Sequence, residues 1–184
     1  MQSATPFWGW TSLRSAAAAR VMLNRDRSSR SELENSAKGG IMRGACLCGD
    51  IEYEVSKFNG NIYQCHCSLC RKQGGSFSNS GAIVPVENLR WMKGQDRINI
   101  WVKDTGFTSS FCKGCGSPVP NLLRKLDYYW IPVGTLEDGD FNVVASIFLN
   151  SKASWATVSP ESTQFDGMPD VNEFIDYLGK EWHG

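Results

Sequence analysis

The chain has 184 residues, of which 41% are hydrophobic, and its 19 basic and 19 acidic side chains cancel. This length suits one domain with a single core, since domains of ~100 to 150 residues are typical. Zero net charge gives no basic field for nucleic acid or an anionic membrane, and no apolar run approaches the ~18 residues that a membrane-spanning helix needs. We therefore expect a soluble protein with neither nucleic acid nor a membrane as its partner.

Residues 1–41 differ in composition from the rest of the chain. They are rich in Ser, Ala and Arg and carry no acidic residue before Asp26. Two interpretations fit them: an appendage left by expression or by an upstream start codon, and an organelle-type targeting segment. We favour the appendage, expect it to be disordered or artificial, and expect the folded domain to span residues 42–184.

From Met42 onward the sequence predicts short β-strands. In the segment DIEYEVS, Ile51, Tyr53 and Val55 alternate with two glutamates, which is the period of a half-buried strand. Similar apolar runs, separated by turn residues, are SGAIVPV, RINIWVK, YYWIPVGTL and NVVASIFL. The pattern predicts a mainly β domain with antiparallel strands.

The tail PDVNEFIDYLGKEWHG predicts a short C-terminal helix. Its apolar residues Val171, Phe174, Ile175 and Leu178 fall on one helical face, and Asp170 is suited to cap the N terminus. We expect the helix to pack against the domain or against a partner. Four tryptophans are expected in the β core or at its edges, namely Trp91, Trp101, Trp130 and Trp155.

The seven cysteines restrict the possible classes of function more than any other residue type does. They are Cys46, Cys48, Cys65, Cys67, Cys70, Cys112 and Cys115. An odd number cannot be closed by intrachain disulfides alone, and C-x-C and C-x-x-C spacings let neighbouring sulfurs converge on one ion. The spacing predicts metal binding by reduced thiolates, and hence a reducing compartment such as the cytoplasm.

Cys46 and Cys48 form the first predicted site together with Cys112 and Cys115. Each pair is short enough to place two thiolates about one tetrahedral zinc ion, and each is followed by a glycine that allows a sharp turn. Four ligands close the site and would join the opening strand to a much later one. We predict a structural zinc ion, which contributes on the order of 10 kcal/mol of folding free energy.

Cys65, Cys67 and Cys70 remain, in the segment CHCSLC, with no fourth cysteine. A zinc ion held by three protein ligands keeps one coordination position for water or substrate, as catalytic sites do. The alternative is a fourth ligand from His66, His183, a carboxylate or a partner. If the segment is extended, His66 points away from the sulfurs. Three thiolates leave a zinc site negatively charged, which favours thiol activation over water activation.

These motifs and their flanks resemble the glutathione-dependent formaldehyde-activating enzyme family, which also contains centromere protein V. The segment GACLCGDIEYEV is similar to the family's opening strand, CHCSLCRKQGGSF to its central segment and FCKGCGSPVP to its later block. PVGTLED and SIFLNSKASWATV are similar to its closing segments. The resemblance runs from about Gly44 to Pro169.

The resemblance implies a fold of the Mss4-like β-tent type with two zinc ions per chain. It implies a structural zinc on Cys46, Cys48, Cys112 and Cys115 and a catalytic zinc on Cys65, Cys67 and Cys70. It also implies a zinc-dependent carbon-sulfur lyase similar to S-(hydroxymethyl)glutathione synthase. Its partners would be a small-molecule thiol, glutathione, as co-substrate and a small aldehyde such as formaldehyde.

Residues after the central cysteines are candidate glutathione contacts. Arg71 and Lys72 are suited to bind a carboxylate, and Gln73 is suited to donate to a peptide carbonyl. Ser76 and Phe77 are candidates for the lining of the same pocket, although Phe77 is also a typical core residue.

A second class of function is a non-catalytic, zinc-stabilised binding module of the Mss4-like or centromere-protein-V-like type. A microtubule role would need a basic segment, and the arginines of residues 1–41 are offset there by Asp26, Glu32 and Glu34. The sequence leaves the oligomeric state open, and a homo-oligomer is one alternative.

Overall fold

The computed structural model describes residues 40–123, 125–137 and 139–181. The predicted appendage, residues 1–41, and His183 therefore lie almost wholly outside the described residues, and the interpretations placed on them stay predictions. None of the helices in these ranges is long and apolar enough to cross a membrane.

The described chain folds into eleven β-strands and two α-helices. In chain order they are β1 (Met42–Ala45), β2 (Glu52–Val55), β3 (Asn61–Cys65), α1 (Ser68–Gly74), β4 (Asn79–Pro85), β5 (Leu89–Lys93), β6 (Ile98–Val102), β7 (Thr108–Cys112), β8 (Asn121–Leu122), β9 (Tyr128–Pro132), β10 (Asn142–Ile147), β11 (Thr163–Gln164) and α2 (Val171–Leu178). The prediction of a mainly β domain with a short C-terminal helix is confirmed. Helix α1, which lies within the central cysteine segment, was not predicted from the sequence.

The strands form three sheets. Their orders are β1-β2-β5, β11-β10-β3-β4-β9-β8 and β6-β7. In the six-stranded sheet the prediction of antiparallel strands is confirmed for the pairs β3-β4, β4-β9 and β8-β9. It is wrong for β10, which runs parallel to both β3 and β11. The alternation of apolar residues locates a strand but carries no information about the direction of a neighbour that is far away in sequence.

Strand β2 follows the predicted alternation with one instructive exception. Ile51, Tyr53 and Val55 are buried, but Glu54 is also largely buried. Its carboxylate accepts a hydrogen bond from Arg90 Nη2 at 2.6 Å. Because a buried carboxylate needs a partner, the arginine on neighbouring β5 is what permits this glutamate within the sheet.

Helix α2 begins and packs as its sequence predicts. The Asp170 carboxylate accepts hydrogen bonds from the backbone N–H groups of Asn172 and Glu173, at 2.9 and 3.1 Å. Phe174 and Leu178 are buried in an apolar cluster on the six-stranded sheet. The helix therefore covers one face of the domain.

The tryptophans divide into two groups. Trp130 is buried and Trp91 packs edge-on against Tyr53, with ring centroids 5.8 Å apart, as expected for core residues. Trp101 lies on edge strand β6 and is 52% exposed, and Trp155 is 66% exposed and outside any strand. The expectation of packing therefore holds for the first group and only weakly for the second.

Candidate functional site

The structure brings Cys46, Cys48, Cys112 and Cys115 together in what we call the four-cysteine cluster. All four sulfurs lie within 4.8 Å of one another, with 3.5 Å between Cys46 and Cys48 and 3.7 Å between Cys48 and Cys112. Cys46 and Cys112 are buried, and Cys48 is exposed. This is the grouping that the sequence predicts.

Two similar turns shape the four-cysteine cluster. Cys46 follows β1, and its carbonyl accepts the backbone N–H of Gly49 at 2.9 Å. Cys112 ends β7, and its carbonyl accepts the backbone N–H of Gly116, also at 2.9 Å. Both glycines have positive φ, 74° and 76°, where a side chain is strained. The glycine after each cysteine pair therefore has the turn role that the sequence predicts.

Backbone N–H groups point at two sulfurs of this cluster. The N–H of Ile51 donates to Cys46 Sγ and that of Gly114 to Cys112 Sγ, each at 3.3 Å. Such donors stabilise thiolates, and four thiolates in one place require a compensating cation. The donor set therefore fits a tetrahedral zinc ion held by the protein alone.

Ser117 supports the same cluster and was missed in the sequence. Its hydroxyl accepts the backbone N–H of Leu47 at 3.0 Å and lies 3.3 Å from Cys115 Sγ. Hydrogen bonding to the Ser117 side chain, and then to its backbone, lowers the pKa of Cys115 to about 6. One serine thus links the two halves of the cluster; its only signal in the sequence is its place directly after C-x-x-C-G.

Cys65, Cys67 and Cys70 form the three-cysteine cluster. Cys65 ends β3, Cys67 caps α1, and Cys70 lies in the first turn of α1. Their sulfurs lie within 4.8 Å of one another, and no histidine, carboxylate or further cysteine of the described ranges joins them. Cys65 is buried, whereas Cys67 and Cys70 are half-buried and reachable from solvent.

Helix α1 explains how two of these sulfurs meet. Cys67 has an extended backbone, with φ −65° and ψ 156°, and its sulfur accepts the backbone N–H of Cys70 at 3.4 Å. The helix ends at Gly75, in the left-handed conformation, where the N–H groups of Gly75 and Ser76 donate to the Arg71 carbonyl. Ser76 is exposed beyond this end. The C-x-x-C spacing therefore spans one N-terminal turn of helix.

The crowding of the three thiols shifts their pKa values in opposite directions. Hydrogen bonds from Cys65 and then Cys70 hold the pKa of Cys67 far below its usual range. The same crowding raises the pKa of Cys65 to about 12, chiefly through Cys67, and raises that of Cys70 further, chiefly through Cys65. Three thiolates cannot ionise side by side without a compensating cation. This donor set fits a zinc ion with three protein ligands.

His66 lies apart from the three-cysteine cluster, as an extended segment predicts. Its side chain is fully buried and stacks on Phe77, with ring centroids 6.2 Å apart. Burial, followed by the nearby charge of Lys152, lowers its pKa. Phe77 is in turn contacted edge-on by Trp155 at 5.8 Å. His66 therefore supplies no ligand to the cluster and serves in packing.

The three candidate glutathione contacts lie on α1 but differ in their surroundings. Lys72 is exposed, and Arg71 is half-buried, with an Nε atom that has no hydrogen-bond partner in the described residues. Gln73 Nε2 donates to Ser109 Oγ at 2.8 Å, and Gln73 Oε1 accepts from Asn79 Nδ2 at 3.1 Å. Their roles toward glutathione stay predictions.

Tyr63 is a neighbour of the three-cysteine cluster that sequence reasoning missed. It precedes Cys65 by two residues on β3, so that both side chains lie on one face, where they share an apolar cluster with Trp130 and Phe174. Burial, and then the charges of the cluster sulfurs, raise the pKa of Tyr63 above its usual range. Its hydroxyl therefore stays protonated beside the cysteines.

A cleft of about 460 Å³ lies elsewhere, beside β1 and β2. Its charged and polar lining residues are Arg43, Glu52, Glu54, Thr135 and Glu137. None of the seven cysteines lines it, so it offers no thiolate chemistry.

Comparison with known proteins places the cysteine-containing part of the chain in a family. A family model described as glutathione-dependent formaldehyde-activating enzyme matches residues 41–151. Two curated relatives, from Aspergillus flavus and Aspergillus oryzae, carry that enzyme's name and are each 32% identical over 75 residues. The match spans 39% of this chain and 39% of each relative. A crystal structure of a Rhodobacter sphaeroides protein matches with a TM-score of 0.47 and 24% identity, over 67% of this chain and 99% of that chain.

The family match contains all seven cysteines and covers more than half of the 184 residues. The chain therefore belongs to the glutathione-dependent formaldehyde-activating enzyme family.

Proposed function

We propose that this protein is a zinc-dependent carbon-sulfur lyase of the S-(hydroxymethyl)glutathione synthase type, which joins or cleaves a glutathione thiol and a small aldehyde such as formaldehyde. One observation carries the proposal: three sulfurs converge at a half-exposed place where no further histidine, cysteine or carboxylate of the described ranges meets them. The four other cysteines form a complete ligand set of their own. Membership of the family supports the same reaction.

In this proposal the four-cysteine cluster holds a structural zinc ion, and Cys65, Cys67 and Cys70 hold a catalytic one. When bound there, zinc would supply positive charge that favours the thiolate form of an incoming thiol. The three cysteines fix the place of that charge, because Cys65 ends β3, Cys67 caps α1 and Cys70 lies in the first turn of α1.

The residues of α1 would orient glutathione, which carries two carboxylates and two peptide groups. Arg71 and Lys72 offer positive charge to a carboxylate. The Gln73 amide is held by Ser109 and Asn79, so what it offers to a peptide carbonyl is the second N–H of its nitrogen. In the joining direction the thiol loses its proton, the sulfur forms a bond to the carbonyl carbon, and the carbonyl oxygen takes up a proton. Cleavage is the reverse of this sequence.

We also propose that the protein works in the cytoplasm. All seven cysteines are free thiols in the structure. Free thiols and abundant glutathione are typical of reducing compartments.

The test is the rate at which the zinc-loaded full chain interconverts glutathione with formaldehyde and S-(hydroxymethyl)glutathione, measured by NMR exchange above the spontaneous rate. We expect Cys67→Ser to abolish the protein-dependent rate while the circular dichroism spectrum stays that of the folded domain. Undiminished turnover in Cys67→Ser, or no acceleration by the unaltered chain, would contradict the proposal.

The alternative function, a zinc-stabilised binding module, has one observation in its favour. Strand β6 exposes three consecutive apolar side chains, Ile100, Trp101 and Val102, and its sheet has only two strands. If native mass spectrometry finds both zinc ions but no glutathione adduct, and turnover is also absent, this alternative replaces the lyase.

A further inference from the structure

We propose that Gln73 is a positioning residue: its side chain fixes helix α1, and with it Cys67 and Cys70, in the geometry that the three-cysteine cluster needs to bind a metal ion. The inference rests on the part of the proposed function that assigns a metal ion to this cluster. It does not depend on the lyase reaction.

Both ends of the Gln73 amide are held. The residue lies three positions after Cys70, nearly one helical turn away. Its nitrogen donates to Ser109 Oγ at 2.8 Å, and its oxygen accepts from Asn79 Nδ2 at 3.1 Å. An amide that is hydrogen-bonded at both ends has little freedom to rotate, so α1 is tied to two other elements of the fold.

The two partners of Gln73 belong to parts of the fold that are themselves anchored. Asn79 begins β4 directly opposite Cys65 on β3. Ser109 lies in β7, three residues before Cys112 of the four-cysteine cluster. A single amide therefore connects α1 with the strand beside Cys65 and with the strand that carries Cys112.

Strand β7 is fixed in turn to the six-stranded sheet. The buried Ser110 hydroxyl donates to Asn121 Oδ1 at 2.8 Å, and Asn121 Nδ2 donates to Thr108 Oγ1 at 2.9 Å. Because Asn121 begins β8, at the edge of that sheet, Ser109 is a fixed point and not a mobile loop residue.

Helix α1 needs such a connection because little else holds it. It has seven residues and buries none of them completely. A helix this short is unstable by itself, and apolar packing contributes less here than it does for α2 with its buried Phe174 and Leu178. Cys67 and Cys70 both move with α1, whereas Cys65 stays with β3, so a shift of the helix separates the ligands.

The experiment measures Co²⁺ binding to the reduced full chain after one equivalent of Zn²⁺ has been added. The charge-transfer absorption of Co²⁺ bound by thiolates reports the second site, and its absence in Cys67→Ser identifies the three-cysteine cluster. Gln73→Ala and Ser109→Ala are each expected to weaken Co²⁺ binding on the order of tenfold and to shift the visible bands of the ion. The double variant is expected to bind no more weakly than Gln73→Ala, because Gln73→Ala already removes the hydrogen bond that Ser109→Ala removes.

Two controls keep the result specific. Gln164→Ala removes an exposed glutamine from β11 and is expected to bind Co²⁺ as the unaltered chain does. Ser109→Thr keeps the hydroxyl acceptor and is expected to restore the affinity and the spectrum that Ser109→Ala loses. Undiminished Co²⁺ affinity in Gln73→Ala, or losses that add in the double variant, would overturn the positioning role.

The test of the Gln73 role can succeed or fail independently of the turnover test of the proposed lyase. Metal binding that depends on Gln73, in a chain without turnover, would uphold the positioning role and reject the lyase. Normal metal binding in Gln73→Ala, together with turnover by the unaltered chain, would do the opposite.

Discussion

The two cysteine clusters present the same residue type in two different settings. The four-cysteine cluster joins Cys48 to Cys112, 64 positions apart, and supplies a complete set of sulfurs with backbone N–H donors already aimed at two of them. The three-cysteine cluster gathers its sulfurs from six consecutive positions, and two of the three remain half-exposed. The clusters therefore differ in the number of sulfurs, in their distance along the chain and in their exposure, and under the proposed function these differences separate a stabilising site from a reactive one.

The largest expected effect comes from breaking the four-cysteine cluster. Cys112→Ser removes a fully buried ligand, and metal binding at such sites contributes on the order of 10 kcal/mol, comparable to the whole stability of a domain. We expect the variant to lose its cooperative thermal transition, measured by circular dichroism, and to bind less zinc by mass spectrometry. The matched variant Cys67→Ser keeps its transition; equal unfolding of the two would remove the distinction between the clusters.

A smaller effect is expected from the apolar support behind the three-cysteine cluster. Phe174 is buried and packs edge-on against Tyr63 and Phe165, with centroids 5.2 and 6.1 Å apart. Phe174→Ala should lower the free energy of unfolding by about 3 to 5 kcal/mol, measured by denaturant titration of the zinc-loaded chain. Asn172→Ala, on the exposed side of the same helix, is the control. A loss no greater than that of the control would show that α2 does not support this face.

The smallest expected effect is on stability and zinc retention when a single glycine beside either cluster is replaced. Gly116, beside the four-cysteine cluster, and Gly75, at the end of α1, both have positive φ with no atom within 4 Å of an added Cβ. Substitution by alanine should therefore cost about 1 kcal/mol at each position through backbone strain alone. Only Gly116→Ala should also release zinc more readily to a chelator, since its N–H closes the turn at Cys112. Equal zinc release from both variants would contradict this.

Local features of the molecule could be predicted from the sequence. The alternation in β2, the Asp170 cap of α2 and the C-x-C and C-x-x-C pairs all depend on residue types at short spacing, and the structure has each of them. The spacing of these cysteine pairs, together with the total of seven, was enough to divide the sulfurs into four and three.

Features that depend on distant pairing could not be predicted. The parallel alignment of β3 with β10 joins segments far apart in the chain, and a strand's own pattern is the same in either direction. The hydrogen bond between Gln73 and Ser109 could not be predicted for the same reason, because the sequence around each residue gives no sign that the other lies beside it. Helix α1 was missed because its seven residues lie between two strands and are too few to show a recognisable helical periodicity of apolar residues.

The unequal sequence spans of the clusters have a consequence for how the protein acquires its metal. An unfolded chain already holds Cys65, Cys67 and Cys70 close together, whereas the four-cysteine cluster requires closure of a loop of 64 positions. Binding to the unfolded chain cancels part of the stabilisation that a ligand provides, so added zinc stabilises the fold mainly through the four-cysteine cluster. Under the proposed function, the segment CHCSLC leaves the ribosome before Cys112 and meets zinc first, but the complete ligand set of the four-cysteine cluster retains a single ion once the domain has folded.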